Sequence, residues 1–286
     1  MAAVNPKSKP RTEAYTADEI AYRRFLHRLD LGVLPFFVLW YLGLASWMTG
    51  DAVADPATPA PPLWVLLFQG FLAAASLGTY AFEVQMPSPK KTDLIYVALR
   101  HIGWWVTLTR HCIAFQAVHF TLSFVGALAG LPQLVLMTHR MFRFIGTVGF
   151  FVTIQYFSLV HFNSEFVERC DRMSRMDPPV PLRRHNIYLH APAIVFAILD
   201  ATVARSGAAI QASGSVPASF VLCTFYVAFY LALISLNKKI TGNWPYGMLE
   251  DLKTAREWAI FFVTQLSVFW LFCACTSGLA LLPRLW

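Results

Sequence analysis

The stretch HIGWWVTLTRHCIAFQAVHFTLSFVGAL at residues 101–128 decides the fold class, because it is long and apolar enough to cross a bilayer. It also carries side chains that lipid disfavours, and these are Thr109, Arg110, His111, Gln116 and His119. Polar groups within a membrane-spanning segment normally face the protein interior or a water-filled cavity. The stretch is therefore predicted to be a transmembrane helix that lines a functional site.

The composition of the whole chain is that of a membrane protein. Of the 286 residues, 57% are hydrophobic and only 14% are charged, and the mean hydropathy is +0.51. A soluble domain carries about 25% charged residues, so a soluble fold is excluded. The expected fold class is all-α, a polytopic integral membrane helical bundle with about seven transmembrane helices.

Seven apolar runs are long enough to cross a hydrocarbon core of about 30 Å. They lie near residues 31–49, 63–83, 102–129, 144–162, 188–205, 218–236 and 257–281. The segments between them are rich in helix breakers or charge, and they predict connections between helices rather than linkers between domains. The run at 31–49 is the one to omit if the true count is six.

The lysines and arginines predict the orientation of these helices. Eighteen of the 23 lie in the amino-terminal arm and in the segments 84–101, 163–187 and 237–256. Only four lie on the opposite side, Arg140, Arg143, Arg205 and Arg284, and Arg110 lies within a helix. By the positive-inside rule the amino terminus is cytoplasmic. This topology also accounts for the net charge of +7, so no nucleic-acid partner is expected.

A threonine and a histidine fall at similar depth in this topology. With a helix that enters near Gly103, Thr109 lies about 9 Å inside the cytoplasmic boundary, and His190 opens the fifth span from the same side. A threonine hydroxyl attacks only when a base accepts its proton, and a neutral histidine is the usual base. The structural alternative is that Thr109 bonds its own helix backbone and that His190 sits at the interface.

Three short patterns occur in order along the chain. They are LT at 108–109 followed by QAV and Phe120, then Asn186 with His190 and Asp200, then TGNWPYGMLE at 241–250. Together they resemble the androgen-induced membrane threonine hydrolase family. The sequence departs from that family at Ile187, where a second histidine is usual, and at Pro245, which precedes rather than follows its tyrosine.

The resemblance implies an intramembrane hydrolase that cleaves esters of fatty acids with hydroxy fatty acids, drawn as lipid substrates from the bilayer. By position, Thr109 is the nucleophile and His190 is the base. The family has six spans, so residues 61–286 form the hydrolase-like core and 31–60 an added helix and loop. Residues 1–30 form a cytoplasmic arm, disordered at its start. An endoplasmic reticulum or other endomembrane location is expected.

Seven further residues are candidates for substrate binding or support, each with a structural alternative. Gln116 is a candidate oxyanion donor. Arg110 is predicted either to reach the headgroups or to bind a substrate carboxylate. For Asp200 the favoured prediction is a hydrogen bond to another helix. Asn186 and Glu250 orient His190 or cap helices, while Trp244 and Tyr246 are site walls or interfacial anchors.

No metal or organic cofactor is expected. The five cysteines are odd in number and lack metal-ligand spacing, which predicts free thiols. The alternative to an enzyme is a small membrane transporter or channel whose polar helix lines a pathway. That class favours an internal structural repeat, and no such repeat is evident in the sequence.

Overall fold

The computed structural model describes residues 17–54, 60–84, 101–175, 181–206, 214–279 and 282. Every regular element in this part of the chain is a helix. The helices are α1 (Ala17–Thr49), α2 (Leu63–Val84), α3 (Leu108–Leu128), α4 (Pro132–Gln155), α5 (Ser164–Ser174), α6 (Leu182–Leu199), α7 (Val216–Thr241) and α8 (Ala255–Leu279). The predicted disorder at the start of the arm concerns residues outside these ranges.

Seven of these helices, all except α5, are long and apolar enough to span a membrane. The chain is thus an integral multi-pass membrane protein, and the predicted fold class and span count are confirmed. The five cysteines are free, and four of them are buried.

The third span begins later than predicted. Gly103 has a φ of +57°, far from the value of about −63° in a regular α-helix, and the chain makes a short 3₁₀ turn, Gly103–Val106, before the helix starts. Thr107 is extended, and α3 starts at Leu108. Thr109 therefore lies in the first turn of α3, so the predicted depth, which assumed helix from Gly103, no longer applies.

The fourth and fifth spans begin earlier than predicted. α4 starts at Pro132, a residue suited to the first turn of a helix, so Arg140 and Arg143 lie in the helix and not in a loop. Arg143 is buried and donates to the Gly214 carbonyl at 2.9 Å. Hydropathy left residues 132–143 out of the predicted span because they include two arginines. Hydropathy does not register that these arginines contact protein rather than lipid. α6 likewise begins at Leu182, within the segment predicted to be a loop.

α3 and α4 form the centre of the bundle. α3 packs against α2, α4 and α6, whereas α4 also packs against α6 and α8. α1 packs against both α3 and α4. The main core is aromatic, with Phe37 of α1 in contact with Phe115 of α3, and Tyr226 of α7 against Phe144 of α4. α1 is therefore integrated into the core, although the resemblance to a six-span family implies that it is an added helix.

Candidate active site

An apolar cavity of about 350 Å³ lies among α3, α4, α6, α7 and α8. Its walls are mostly aliphatic and aromatic side chains, among them Phe151, Leu189, Val227, Ile234 and Phe269. Thr109, Asn186 and His190 also line it. The two residues predicted to form a catalytic pair therefore line the same cavity.

The start of α3 is anchored by two tyrosines of the cavity wall. The Leu108 amide donates to the Tyr246 hydroxyl at 2.9 Å, and the Tyr230 hydroxyl donates to the Val106 carbonyl at 2.9 Å. Tyr246 follows the end of α7, where Gly242 adopts a φ of +77° and closes the helix. The polar turn after α7 thus fixes the position from which Thr109 points into the cavity.

The Thr109 hydroxyl and the His190 imidazole are hydrogen-bonded, with 3.0 Å between Oγ1 and Nε2. The other ring nitrogen, Nδ1, lies 2.7 Å from the Asn186 carbonyl. A carbonyl only accepts, so Nδ1 carries the proton of the neutral ring and Nε2 accepts from Thr109. This is the arrangement that general-base activation of a hydroxyl requires.

Asn186 contributes to the pair through its backbone rather than its side chain. Its carbonyl holds the imidazole, whereas its side-chain amide donates to the Leu182 carbonyl at 3.0 Å. The expectation that Asn186 orients His190 therefore holds, but any residue in helical conformation can supply this carbonyl.

Two residues in and just after α4 hold His190, and neither stands out in the sequence. Tyr156 stacks on the imidazole with 3.9 Å between ring centroids and 15° between planes. The Thr153 hydroxyl donates to the His190 carbonyl at 2.6 Å. In the sequence both lie within an apolar run, where an aromatic or a threonine is typical of packing.

Gln116, a candidate oxyanion donor on sequence grounds, does not line the main cavity. Its side-chain amide donates to the Ala193 carbonyl at 2.8 Å, and a much smaller void lies next to it. Gly149 of α4 packs against the same two atoms, and a Cβ there would lie 2.7 Å from the Ala193 oxygen. Gln116 therefore joins α3 to α6.

Arg110 neither reaches the headgroups nor lines the cavity, so neither prediction for it agrees with its position. Its side chain is fully buried and pairs with Asp30 of α1 at 3.3 Å and with Glu83 of α2. Its guanidinium also lies over the rings of Tyr80 and Trp105. The side chain turns inward because two carboxylates and two aromatic faces replace its hydration.

Asp200 belongs to a second buried polar cluster and not to the cavity. It pairs with Arg205 at 2.9 Å and lies 3.4 Å from His119. The Tyr41 hydroxyl lies 2.7 Å from the other nitrogen of His119. The prediction that Asp200 bonds another helix is confirmed, and the cluster joins α1, α3 and the π turn Asp200–Ala204 that extends α6.

The remaining candidates divide between the cavity and the surface. Tyr246 lines the cavity, whereas Trp244 is not part of its wall and packs against Trp258, with 4.9 Å between the ring centroids. Glu250 is exposed and pairs with Lys238 at 2.7 Å, which lowers the pKa of the carboxyl. It does not orient His190. The described residues contain no cluster of three or more His, Cys, Asp or Glu side chains suited to a metal ion.

Comparison with known families matches this chain to one of them. The FAR-17a/AIG1-like protein family matches residues 66–280, which include α3, α6 and the turn at 241–250. Comparison with curated proteins and with solved structures gave no match. The matched region covers most of the chain and contains both members of the threonine and histidine pair. The chain therefore belongs to the FAR-17a/AIG1-like family, that of the androgen-induced protein.

Proposed function

We propose that this protein is an intramembrane lipid-ester hydrolase with Thr109 as nucleophile and His190 as base. The observation that carries the proposal is the 3.0 Å hydrogen bond from the Thr109 hydroxyl to Nε2 of His190 at the wall of an apolar cavity. The proposed substrates are fatty acid esters of hydroxy fatty acids. The proposed setting is the endoplasmic reticulum or another endomembrane, with the amino terminus in the cytoplasm.

The proposed reaction has two steps. Thr109 Oγ1 attacks the ester carbonyl while His190 Nε2 takes its proton, the bond from carbonyl carbon to ester oxygen breaks, and the proton passes to the leaving alcohol. Water then attacks the acyl-threonine and gives a proton to His190. The bond from carbonyl carbon to Oγ1 breaks, the fatty acid leaves, and the proton returns to Thr109.

The oxyanion of each tetrahedral intermediate needs hydrogen-bond donors. The first amides of a helix have no partner within the helix, and the Leu108 amide is already bonded to Tyr246. Thr109 also lines the cavity, and its amide has no hydrogen-bond partner among the described residues, so it is the donor we favour. It replaces Gln116, whose amide is bonded to Ala193.

A hydroxyl-directed fluorophosphonate probe tests the proposal in isolated membranes. We expect peptide mass spectrometry to find the label on Thr109, labelling to persist in Thr109→Ser, and labelling to be lost in Thr109→Ala and His190→Ala. Thr121→Ala is the matched control, because it removes a hydroxyl from the same helix outside the cavity. A chain that stays unlabelled while a hydrolase added to the same membranes reacts would favour the transporter or channel alternative.

A further inference from the structure

The turn that follows α4 brings Tyr156 onto the imidazole of the proposed base. Residues Tyr156–Val160 form a single π turn, closed by a hydrogen bond from the His161 amide to the Tyr156 carbonyl at 2.9 Å. Such turns insert one extra residue into a helix and occur often at functional sites. Here the turn begins at the residue whose ring covers His190.

The contacts of His190 restrain its ring in different directions. The bonds to Thr109 and to the Asn186 carbonyl lie in the ring plane at opposite nitrogens. Tyr156 covers one face at 3.9 Å, with the two rings 15° from parallel. Thr153, three residues before Tyr156, bonds the backbone of His190. α4 and its π turn therefore hold both the ring and the backbone of one residue on α6.

Tyr156 is itself fixed through its hydroxyl. The hydroxyl lies 3.0 Å from Nδ1 of His161, and Arg183 lies 3.3 Å from Nε2 of that ring. An arginine only donates, so Nε2 of His161 accepts and Nδ1 carries the proton of the neutral ring. Burial and, after it, the neighbouring Arg183 guanidinium lower the pKa of His161, consistent with a neutral ring. Nδ1 thus donates to the Tyr156 hydroxyl oxygen.

We infer that Tyr156 is a positioning residue, whose stacked ring holds the His190 imidazole in line with Thr109 and stabilises it when it becomes charged. The inference rests on the proposed function. When His190 takes the threonine proton, an imidazolium lies against the electron-rich face of a tyrosine, and this cation–π attraction is absent in the neutral ground state. An interaction that strengthens in the transition state raises kcat more than it lowers KM.

Kinetics of three variants test this role with a medium-chain 4-nitrophenyl ester in detergent. Tyr156→Phe keeps the stacked ring and should stay within about threefold of the parent, whereas Tyr156→Leu should lower kcat about tenfold with little change in KM. Phe150→Leu removes an aromatic from the same helix outside the cavity and should have no effect. Equal losses in Tyr156→Phe and Tyr156→Leu, or a loss confined to KM, would overturn the inference.

A second measurement does not depend on hydrolysis. Diethyl pyrocarbonate modifies accessible neutral imidazoles, and mass spectrometry follows the peptide that contains His190. We expect modification of His190 to be several-fold faster in Tyr156→Leu than in the parent or Tyr156→Phe. An unchanged rate overturns the positioning role. A parent protein that shows no Thr109-dependent hydrolysis would instead contradict the proposed function. The two failures are therefore distinguishable.

Discussion

At the scale of single residues, the proposed dyad works without a carboxylate partner. The Asn186 carbonyl fixes the His190 tautomer, a task that an aspartate performs in many serine hydrolases. A carboxylate beside His190 would be a charged group in an apolar cavity, and its desolvation is costly unless it is paired. The acid that does line the cavity, Glu83, is paired with Arg110. A neutral carbonyl therefore suits a histidine base in this environment.

Arg110→Leu should destabilise the protein, because it leaves Asp30 and Glu83 buried without their cation. Breaking a buried ion pair by removing one partner costs about 3–5 kcal/mol. Thermal unfolding in detergent, followed by tryptophan fluorescence, measures the loss. The triple variant that adds Asp30→Asn and Glu83→Gln should recover most of the stability. A stable Arg110→Leu protein with a raised KM for esters that bear a free carboxylate would contradict this prediction. It would indicate that Arg110 binds the substrate carboxylate.

At the scale of helices, close contact between α4 and α6 sets the geometry of the site. Gly149 packs against the Ala193 carbonyl, three residues after His190, and against the Gln116 amide. The absence of a side chain at Gly149 permits this approach. The same pair of helices carries Tyr156 and His190, so their separation controls the stacked rings.

Gly149→Ala should therefore reduce both stability and ester hydrolysis. The added Cβ would lie 2.7 Å from the Ala193 oxygen and 2.8 Å from the Gln116 nitrogen, distances that force the helices apart. Overpacking of this kind costs about 1–3 kcal/mol, more than the helix propensity that alanine gains. Gly78→Ala is the control, since nothing lies within 4 Å of its Cβ. Equal behaviour of the two variants in thermal unfolding and turnover would contradict this account.

At the scale of the whole molecule, the distribution of Lys and Arg predicts the orientation in the membrane. We expect cysteines placed singly at 50–62, in a background without the natural ones, to react with impermeant maleimide from the non-cytoplasmic side. Cysteines at 165–185 should react only from the cytoplasmic side, because the excess of Lys and Arg marks that side. Labelling of both segments from one side would show that the number of crossings between them is even.

The apolar cavity predicts a dependence on acyl length. Each methylene buried in it contributes up to about 0.8 kcal/mol, so kcat/KM should rise about threefold to fourfold per methylene until the cavity of about 350 Å³ is filled. A series of otherwise identical esters from acetyl to palmitoyl, in one detergent, measures this. A flat series, or a preference for acetyl, would point to a pocket open to water.

How much of the site the sequence could predict differs between its members. Thr109 and His190 were predictable because short patterns around them resemble a family whose model matches residues 66–280. Tyr156 and Gly149 were not, because a tyrosine or a glycine in an apolar run is ordinary until its neighbour on another helix is known. The role of Arg110 was mistaken because Asp30 and Glu83, its partners, come from two other helices.

The sequence alone determined the class of the protein and its number of spans, because burial of apolar runs in lipid depends on local composition and length. Helix starts depended on backbone conformation and on partners distant in sequence, as at Gly103 and along the buried face of α4. The tertiary structure alone decided which polar side chains face the cavity and which pair inside the bundle. A buried polar group is stable only with its partner, and that partner usually lies on another helix.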